Sequence, residues 1–379
     1  MPSSSSTQLT SGLRLIFFAT GFTAFILLTL YAISSPAKYK TSSDGLLPNF
    51  NIPKGENRIE ELPRRTHYNQ TLSPPGVIYR MKGGIGNQLF EYACSYALAR
   101  ERNWTMYTFY IASSEPSRVF KQFNREFALD HFRAPLDDMI DNTTELSGVT
   151  YVSDEELLDK SYQEPKEFIQ QYGYCQSEVY FGKYVNEIRE MFRPRLEFIN
   201  VEKLQKYIDL IRNSESVAVH VRRGDFTYIT GFFIPMSYQR MAIRKMASLF
   251  QKRGKTEPPV FFIFSDDIAH TKKKLKDFEG MYKFVYVSDA GFTSIEDFYL
   301  MLLCKHNIIP NSTFSWWAAY LNENPDKIVI ASAFNPEFWR LFEANEKNKR
   351  FYMKLHGTLY HPKDWVVIDS FSGGLIQEL

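Results

Sequence analysis

Arg222 and Arg223 stand side by side, with His220 just before them and Gly224-Asp225 just after. Two guanidinium forks suit a diphosphate, because each bonds phosphate oxygens bidentately and neither loses its charge. The plain alternative is a pair of surface charges flanking a turn. A second stretch, Lys82-Gly83-Gly84-Ile85-Gly86-Asn87-Gln88, is rich in glycine. Glycine lets backbone N–H groups approach a ligand at a helix start, although a glycine turn is as often purely structural. The spacing is not GxGxxG, so no dinucleotide fingerprint is present. A third stretch is Asn311-Ser312-Thr313-Phe314-Ser315-Trp316-Trp317. Hydroxyls at a helix start cap its free N–H groups, and the same groups hold a phosphate. Capping accounts for one of Ser312, Thr313 and Ser315 but not for all three. Trp316 and Trp317 read as core, with a share in shielding a site from water.

The elements that must position these residues are legible in the second half of the chain. Val217–Val221 is an apolar run broken only by His220, the pattern of a strand buried on both faces of a parallel sheet. Similar runs occur at Val260–Phe264, Phe284–Val287, Asn307–Ile309 and Ile328–Ala331, with helical patterns between them at about 236–252, 267–278, 294–305 and 313–323. Repeated βα units of this size imply a parallel sheet with helices on both faces, whose strand ends line one crevice. Asp266-Asp267 lies at one such end, as a helix N-cap or as a carboxylate able to bond the N1–H and amino group of a guanine. Asp225 is either a general base or a salt-bridge partner that fixes the arginine loop. Upstream, Val77–Met81 reads as a strand, and the glycine turn then opens a helix with Leu89, Ala93, Tyr96 and Ala97 on one face. Residues 105–215 show no clear alternation, apart from helical stretches at Asn186–Phe192 and Val201–Ile211.

A length of 379 residues predicts about two domains, and 44% hydrophobic content excludes disorder for most of the chain. A net charge of +2 argues against nucleic-acid binding, which needs a basic face. Cys94, Cys175 and Cys304 form no CxxC, which rules out a zinc ribbon and leaves room for at most one disulfide. Cys304 follows Leu300 and Leu303 at helical spacing, so a buried thiol is expected. No cluster of His, Asp and Glu has metal-ligand spacing and no DxD lies near a strand end, so a diphosphate here would be neutralised by arginines and a helix N-terminus, with no metal.

Near the N-terminus an uncharged apolar run, Leu15–Ile33, is long enough to cross a hydrocarbon core and longer than the ~7–15 apolar residues of a signal peptide. It reads as an uncleaved anchor. Residues 1–14 would be a cytosolic tail, 15–34 the transmembrane signal-anchor and 35–75 a Ser/Pro-rich stem; a first α/β domain would span 76–212 and a second 213–379. Sequons at Asn69, Asn103, Asn142 and Asn311 all lie beyond the span, as a lumenal C-terminal bulk requires.

The glycine turn from Gly83 to Ala93, the segment His220-Val221-Arg222-Arg223-Gly224-Asp225 and the box Asn311–Trp317 together resemble the α-1,2-fucosyltransferases. The order of the motifs agrees, and the likeness spans about residues 77–370. Gly173–Glu178 resembles a further motif of that family with Cys175 in an aromatic place, and Pro362–Val366 resembles its closing motif. The resemblance implies a GT-B-like Golgi type II membrane enzyme, with two Rossmann-like domains facing a cleft and the first domain on the acceptor side. It implies inverting transfer of L-fucose from GDP-fucose to the 2-hydroxyl of a terminal β-galactose, without a cofactor or divalent metal. Fucosyl transfer to another acceptor or linkage, and a silent glycan-binding homologue, are the alternatives. By the same resemblance Arg222 and Arg223 hold the diphosphate, His220 lies beside the nucleotide, and Asn87, with Gly84 and Gly86, reaches the pyrophosphate or fucose. Ser312, Thr313, Phe314 and Ser315 contact the phosphates, and Asn311 opens that box; Asp266 stays a candidate partner for the base on its own chemistry.

Overall fold

The structure, a computed structural model, describes residues 72–109, 127–159, 167–335, 338 and 351–378, apart from 82, 137, 141–143, 145, 229–230 and 352. The apolar run 15–33, the stem, Asn69 and Asn142 lie outside the described residues.

Chain order gives β1 (Gly76–Arg80), α1 (Ile85–Arg102), β2 (Thr105–Phe109), β3 (Met139–Ile140), β4 (Val149–Val152), α2 (Asp154–Leu158) and β5 (Phe168–Gln171). These strands form one five-stranded sheet, ordered β3-β2-β1-β5-β4, with every pairing parallel. β1 lies at its centre, which is why Val77, Ile78 and Tyr79 are buried in succession. Helices α3 (Val185–Met191) and α4 (Val201–Arg212) then lead to the second sheet.

There the chain alternates through β6 (Glu215–Val221), α5 (Met236–Lys252), β7 (Pro259–Ser265), α6 (Ile268–Leu275), β8 (Lys283–Tyr286), α7 (Ser294–Leu303), β9 (His306–Ile309), α8 (Thr313–Leu321), β10 (Val329–Ser332), β11 (Val366–Ile368) and β12 (Leu375–Gln377). The spatial order is β12-β11-β10-β9-β6-β7-β8, parallel except for β12 against β11. From β6 the chain winds outward to β8, then crosses back to β9 on the other side of β6. The β6/β9 boundary is therefore a topological switch point, the place where open α/β sheets bind ligands beyond their carboxyl ends. The arginine pair follows β6, and the Asn311–Ser315 box follows β9.

The two sheets do not stand apart. Phe90 of α1 lies 4.5 Å from Trp316 and 4.9 Å from Trp317, ring centre to ring centre, so the first turns of α1 and α8 pack in one apolar cluster. Both tryptophans are fully buried core residues, and the Trp316 indole donates to the Tyr360 carbonyl at 2.8 Å. Cys94 on α1 is disulfide-bonded to Cys175 in the loop after β5. Cys304 is the expected buried thiol, and burial pushes its pKa up.

Candidate active site

The arginine loop is built by two carboxylates. Arg222 Nη2 donates to Asp225 Oδ1 at 2.6 Å, and its Nη1 lies 2.9 Å from Asp266 Oδ2 at the end of β7. The Asp225 side chain is only 7% exposed. The Arg223 amide donates to Asp266 Oδ1 at 2.7 Å. Gly224 makes this possible, since a Cβ there would lie 2.6 Å from Asp266 Oδ2. Each guanidinium lies 5.4 Å from an aromatic ring centre, Arg222 at Phe226 and Arg223 at Phe233. Arg223 Nε has no hydrogen-bond partner among the described residues. Asp266 thus braces both arginines, a role the sequence did not suggest. Asp267 is the N-cap of α6, accepting from the His270 amide at 3.1 Å.

Two helix starts converge beside this loop. α1 begins after Gly84 and α8 after Ser312, and neither has a side-chain cap. Two hydroxyls of the Ser/Thr box are spent elsewhere. Thr313 Oγ1 donates to Asn87 Oδ1 at 2.9 Å, and Gln176 Nε2 donates to the same oxygen at 3.0 Å. Ser315 Oγ pairs with His220 Nδ1 at 2.8 Å and lies 3.3 Å from the Ser312 carbonyl. The Phe314 ring lies 5.7 Å from the His220 ring. Capping therefore accounts for none of the three hydroxyls. Gly86 permits the close approach: a Cβ would lie 2.3 Å from the Thr313 carbonyl carbon. Gly83 turns the chain at φ +69°. The uncapped N–H groups of two helix starts beside the braced arginine pair, with Arg223 Nε left unpartnered, make a corner suited to an anion.

Burial, and then the charge of Arg222, lowers the His220 pKa to about 3, so the ring is neutral. With Ser315 donating to the Ser312 carbonyl, His220 donates from Nδ1 and keeps an acceptor at Nε2.

The structure corrects one expectation. Asn311 is 3% exposed and donates to the Phe232 carbonyl at 3.1 Å, so it is no glycosylation site in the folded chain. It instead straps the segment after the arginine loop over β9. Asn103, by contrast, is the exposed C-cap of α1 at φ 54°.

Sequence reasoning missed Asp297 on α7. Its Oδ2 lies 3.4 Å from Ser288 Oγ, which in turn accepts from the Ser265 amide at the end of β7. Its Oδ1 has no hydrogen-bond partner among the described residues, and burial raises the pKa to about 7. The available signal was an acidic residue within the apolar face Ile295, Phe298, Leu300 and Met301. Among the described residues no three His, Cys, Asp or Glu side chains cluster as metal ligands do.

Two largely parallel sheets with an anion corner at a switch point define an α/β protein with a candidate phosphate site. The chain belongs to glycosyl transferase family 11, whose model matches residues 75–354, and it is a glycosyltransferase. It is 32% identical to an α-1,2-colitosyltransferase of Escherichia coli, over 72% of this chain and 94% of that protein. It is 29% identical to the O-antigen biosynthesis glycosyltransferase WbnK of Escherichia coli, over 71% and 96%. The galactoside α-(1,2)-fucosyltransferase 2 of Oryctolagus cuniculus is 26% identical over 67% of this chain and 69% of that one. Among solved structures, the fucosyltransferase NodZ from Bradyrhizobium matches at a TM-score of 0.41 and 17% identity, over 64% of this chain and 91% of that one.

Proposed function

We propose that the chain transfers L-fucose from GDP-β-L-fucose to the 2-hydroxyl of a terminal β-galactose, with inversion, between two lobes of a GT-B-like enzyme. The observation that carries this reading is the corner where Arg222 and Arg223 meet the uncapped starts of α1 and α8. The acceptor hydroxyl oxygen attacks the anomeric carbon from the face opposite GDP, and its proton passes to solvent. The bond from that carbon to the β-phosphate oxygen breaks, and its electron pair leaves with GDP. Negative charge grows on the leaving phosphate, where preorganised donors lower the barrier most. Arg222, fixed by two carboxylates, pays little reorganisation when that charge forms. Asp225 serves here as a brace, because its carboxylate is bonded to Arg222. The base of the nucleotide is assigned to Asp297, whose buried Oδ1 has no hydrogen-bond partner among the described residues and accepts from the guanine edge when the base enters. The linkage and the sugar class rest on the relatives' names. Transfer needs no divalent metal in this reading, and the apolar run 15–33 anchors the enzyme in the Golgi membrane with its bulk in the lumen.

A second reading has specific support in the α-1,2-colitosyltransferase relative. Colitose is fucose without its 3-hydroxyl, so the donor would be GDP-colitose and the geometry otherwise the same. One experiment separates the two readings. The protein is incubated with GDP-fucose or GDP-colitose, in chelator, with a panel of β-galactosides, and the product linkage is read by NMR. Fucα1-2Gal formed with the chelator present supports the proposal. Transfer from GDP-colitose alone supports the second reading, and transfer from neither donor overturns both.

A further inference from the structure

We infer that Gln176 is a positioning residue of the donor site: together with Thr313 it holds the Asn87 amide so that the amino end faces the bound anion. The inference deepens the glycosyl-transfer reading and rests on its anion corner.

The bonds at Asn87 are the first argument. A side-chain amide oxygen carries two lone pairs. Thr313 Oγ1 donates to Asn87 Oδ1 at 2.9 Å and Gln176 Nε2 donates to it at 3.0 Å, so both are taken. Oδ1 is therefore the inward end of the amide. Nδ2 is the outward end, and no described residue accepts from it. It lies against the turn that opens α1, since a Cβ on Gly83 would stand 2.5 Å from it. Its two N–H groups thus join the uncapped N–H groups of the α1 start. Without Gln176 the amide keeps one partner and can turn over. An amide oxygen would then face the phosphates and repel them.

The way Gln176 is held is the second argument. Its neighbour Cys175 has φ 47°, a backbone region that residues other than glycine rarely adopt. Strain of this kind persists only where the surroundings impose it, and it collects at functional sites. Here the surroundings are specific. Asp154 of α2 accepts from the Tyr174 and Cys175 amides at 3.2 and 3.1 Å, and the Ser177 amide donates to the Cys175 carbonyl at 2.7 Å. Gly173 allows the carboxylate in, since a Cβ there would lie 1.9 Å from Asp154 Oδ1. Cys175 is bonded to Cys94, two turns along α1 from Asn87. Ser177 Oγ donates to the Leu359 carbonyl at 2.5 Å. The loop is therefore fastened to α1 without Gln176. What the Gln176 bond adds is the orientation of one amide.

The test uses the full-length protein with Gln176→Met, Asn87→Ala and the double variant, and reads GDP affinity by titration calorimetry. Gln176→Met keeps the length of the side chain and removes the donor. GDP affinity should fall by about threefold to tenfold in Gln176→Met. On the Asn87→Ala background the same substitution should change it by less than about twofold, because no amide is left to orient. The GDP-fucose KM should rise in parallel, with the β-galactoside KM held within about twofold. Wild-type GDP affinity in Gln176→Met overturns the inference. An equal loss on the Asn87→Ala background also overturns it, because Gln176 would then act without Asn87. Thermal melting checks the fold of each variant, and Gln176→Leu takes the place of Gln176→Met if that protein does not fold. Absence of GDP binding by the wild type would remove the anion corner and this inference together. GDP bound equally by wild type and Gln176→Met would remove the inference alone.

Discussion

Thr313 donates its hydroxyl to Asn87 at 2.9 Å, across 226 residues of sequence. This bond joins the first turn of α8 to the first turn of α1, and Gln176 adds a third strand of chain to the same oxygen. Asn87→Ala and Thr313→Val should therefore be coupled. A double-mutant cycle on GDP affinity is expected to give an interaction energy of about 0.5–3 kcal/mol. Additive losses would show that the two helix starts act separately.

Arg222→Ala should cost about 3–4 kcal/mol in kcat/KM, or roughly 10²–10³ in rate. Arg222→Lys should fail nearly as badly, because an ammonium cannot reach Asp225, Asp266 and a phosphate as a planar fork does. Asp225→Asn is expected to weaken donor binding while keeping the low-pH limb of the pH–rate profile. Loss of that limb in a folded Asp225→Asn protein would restore the general-base role.

Gly86→Ala should destabilise the protein by about 1–3 kcal/mol, because its methyl group meets the Thr313 backbone. Backbone cannot swing away as a side chain does. Gly182→Ala is the control, since nothing lies within 4 Å of its Cβ. Urea unfolding of both variants gives the comparison, and equal midpoints would contradict the close approach of α1 and α8.

Asp297 gives a pH dependence with a definite sign. Burial raises its pKa to about 7, so the free carboxyl is largely protonated in mild acid. Accepting from a guanine edge needs the ionised form. GDP affinity should therefore fall as pH drops below about 7, and bound GDP should pull the pKa down. Asp297→Asn should lower GDP affinity and flatten this profile. A profile unchanged by that substitution would remove Asp297 from the base site.

Glycopeptide mapping after expression in a secretory host should find Asn311 bare, because its side chain is buried and bonded to Phe232. Asn103, exposed at the end of α1, remains open to modification. Occupied Asn311 in folded protein would contradict the strap over β9.

The second sheet was legible because its central strands are buried on both faces, so Val260–Phe264 appears as an unbroken apolar run and Val217–Val221 as one broken only by His220. The predicted helix at 236–252 matches α5, Met236–Lys252. The first sheet beyond β1 was not legible. β3 has two residues, and β4 is half-exposed with Tyr151 pointing out, too short a pattern for any periodicity. The motifs were legible as chemistry, but the partners of each residue were not. That Asp266 braces Arg222, or that Gly86 meets Thr313, depends on strands and helices far apart in sequence. Asp297 was missed because no motif marks it; its distinction is an unpartnered oxygen, which only packing reveals.

The apolar cluster in which Phe90 meets Trp316 and Trp317 has a kinetic consequence. Lobes joined by a polar seam can swing on a hinge, whereas a large hydrophobic contact holds them fast. Here the helix starts that flank the anion corner are seated on that cluster, so the corner's walls are set before any substrate arrives. The expected cycle therefore has no hinge-closing step, with substrates entering and leaving past an open edge.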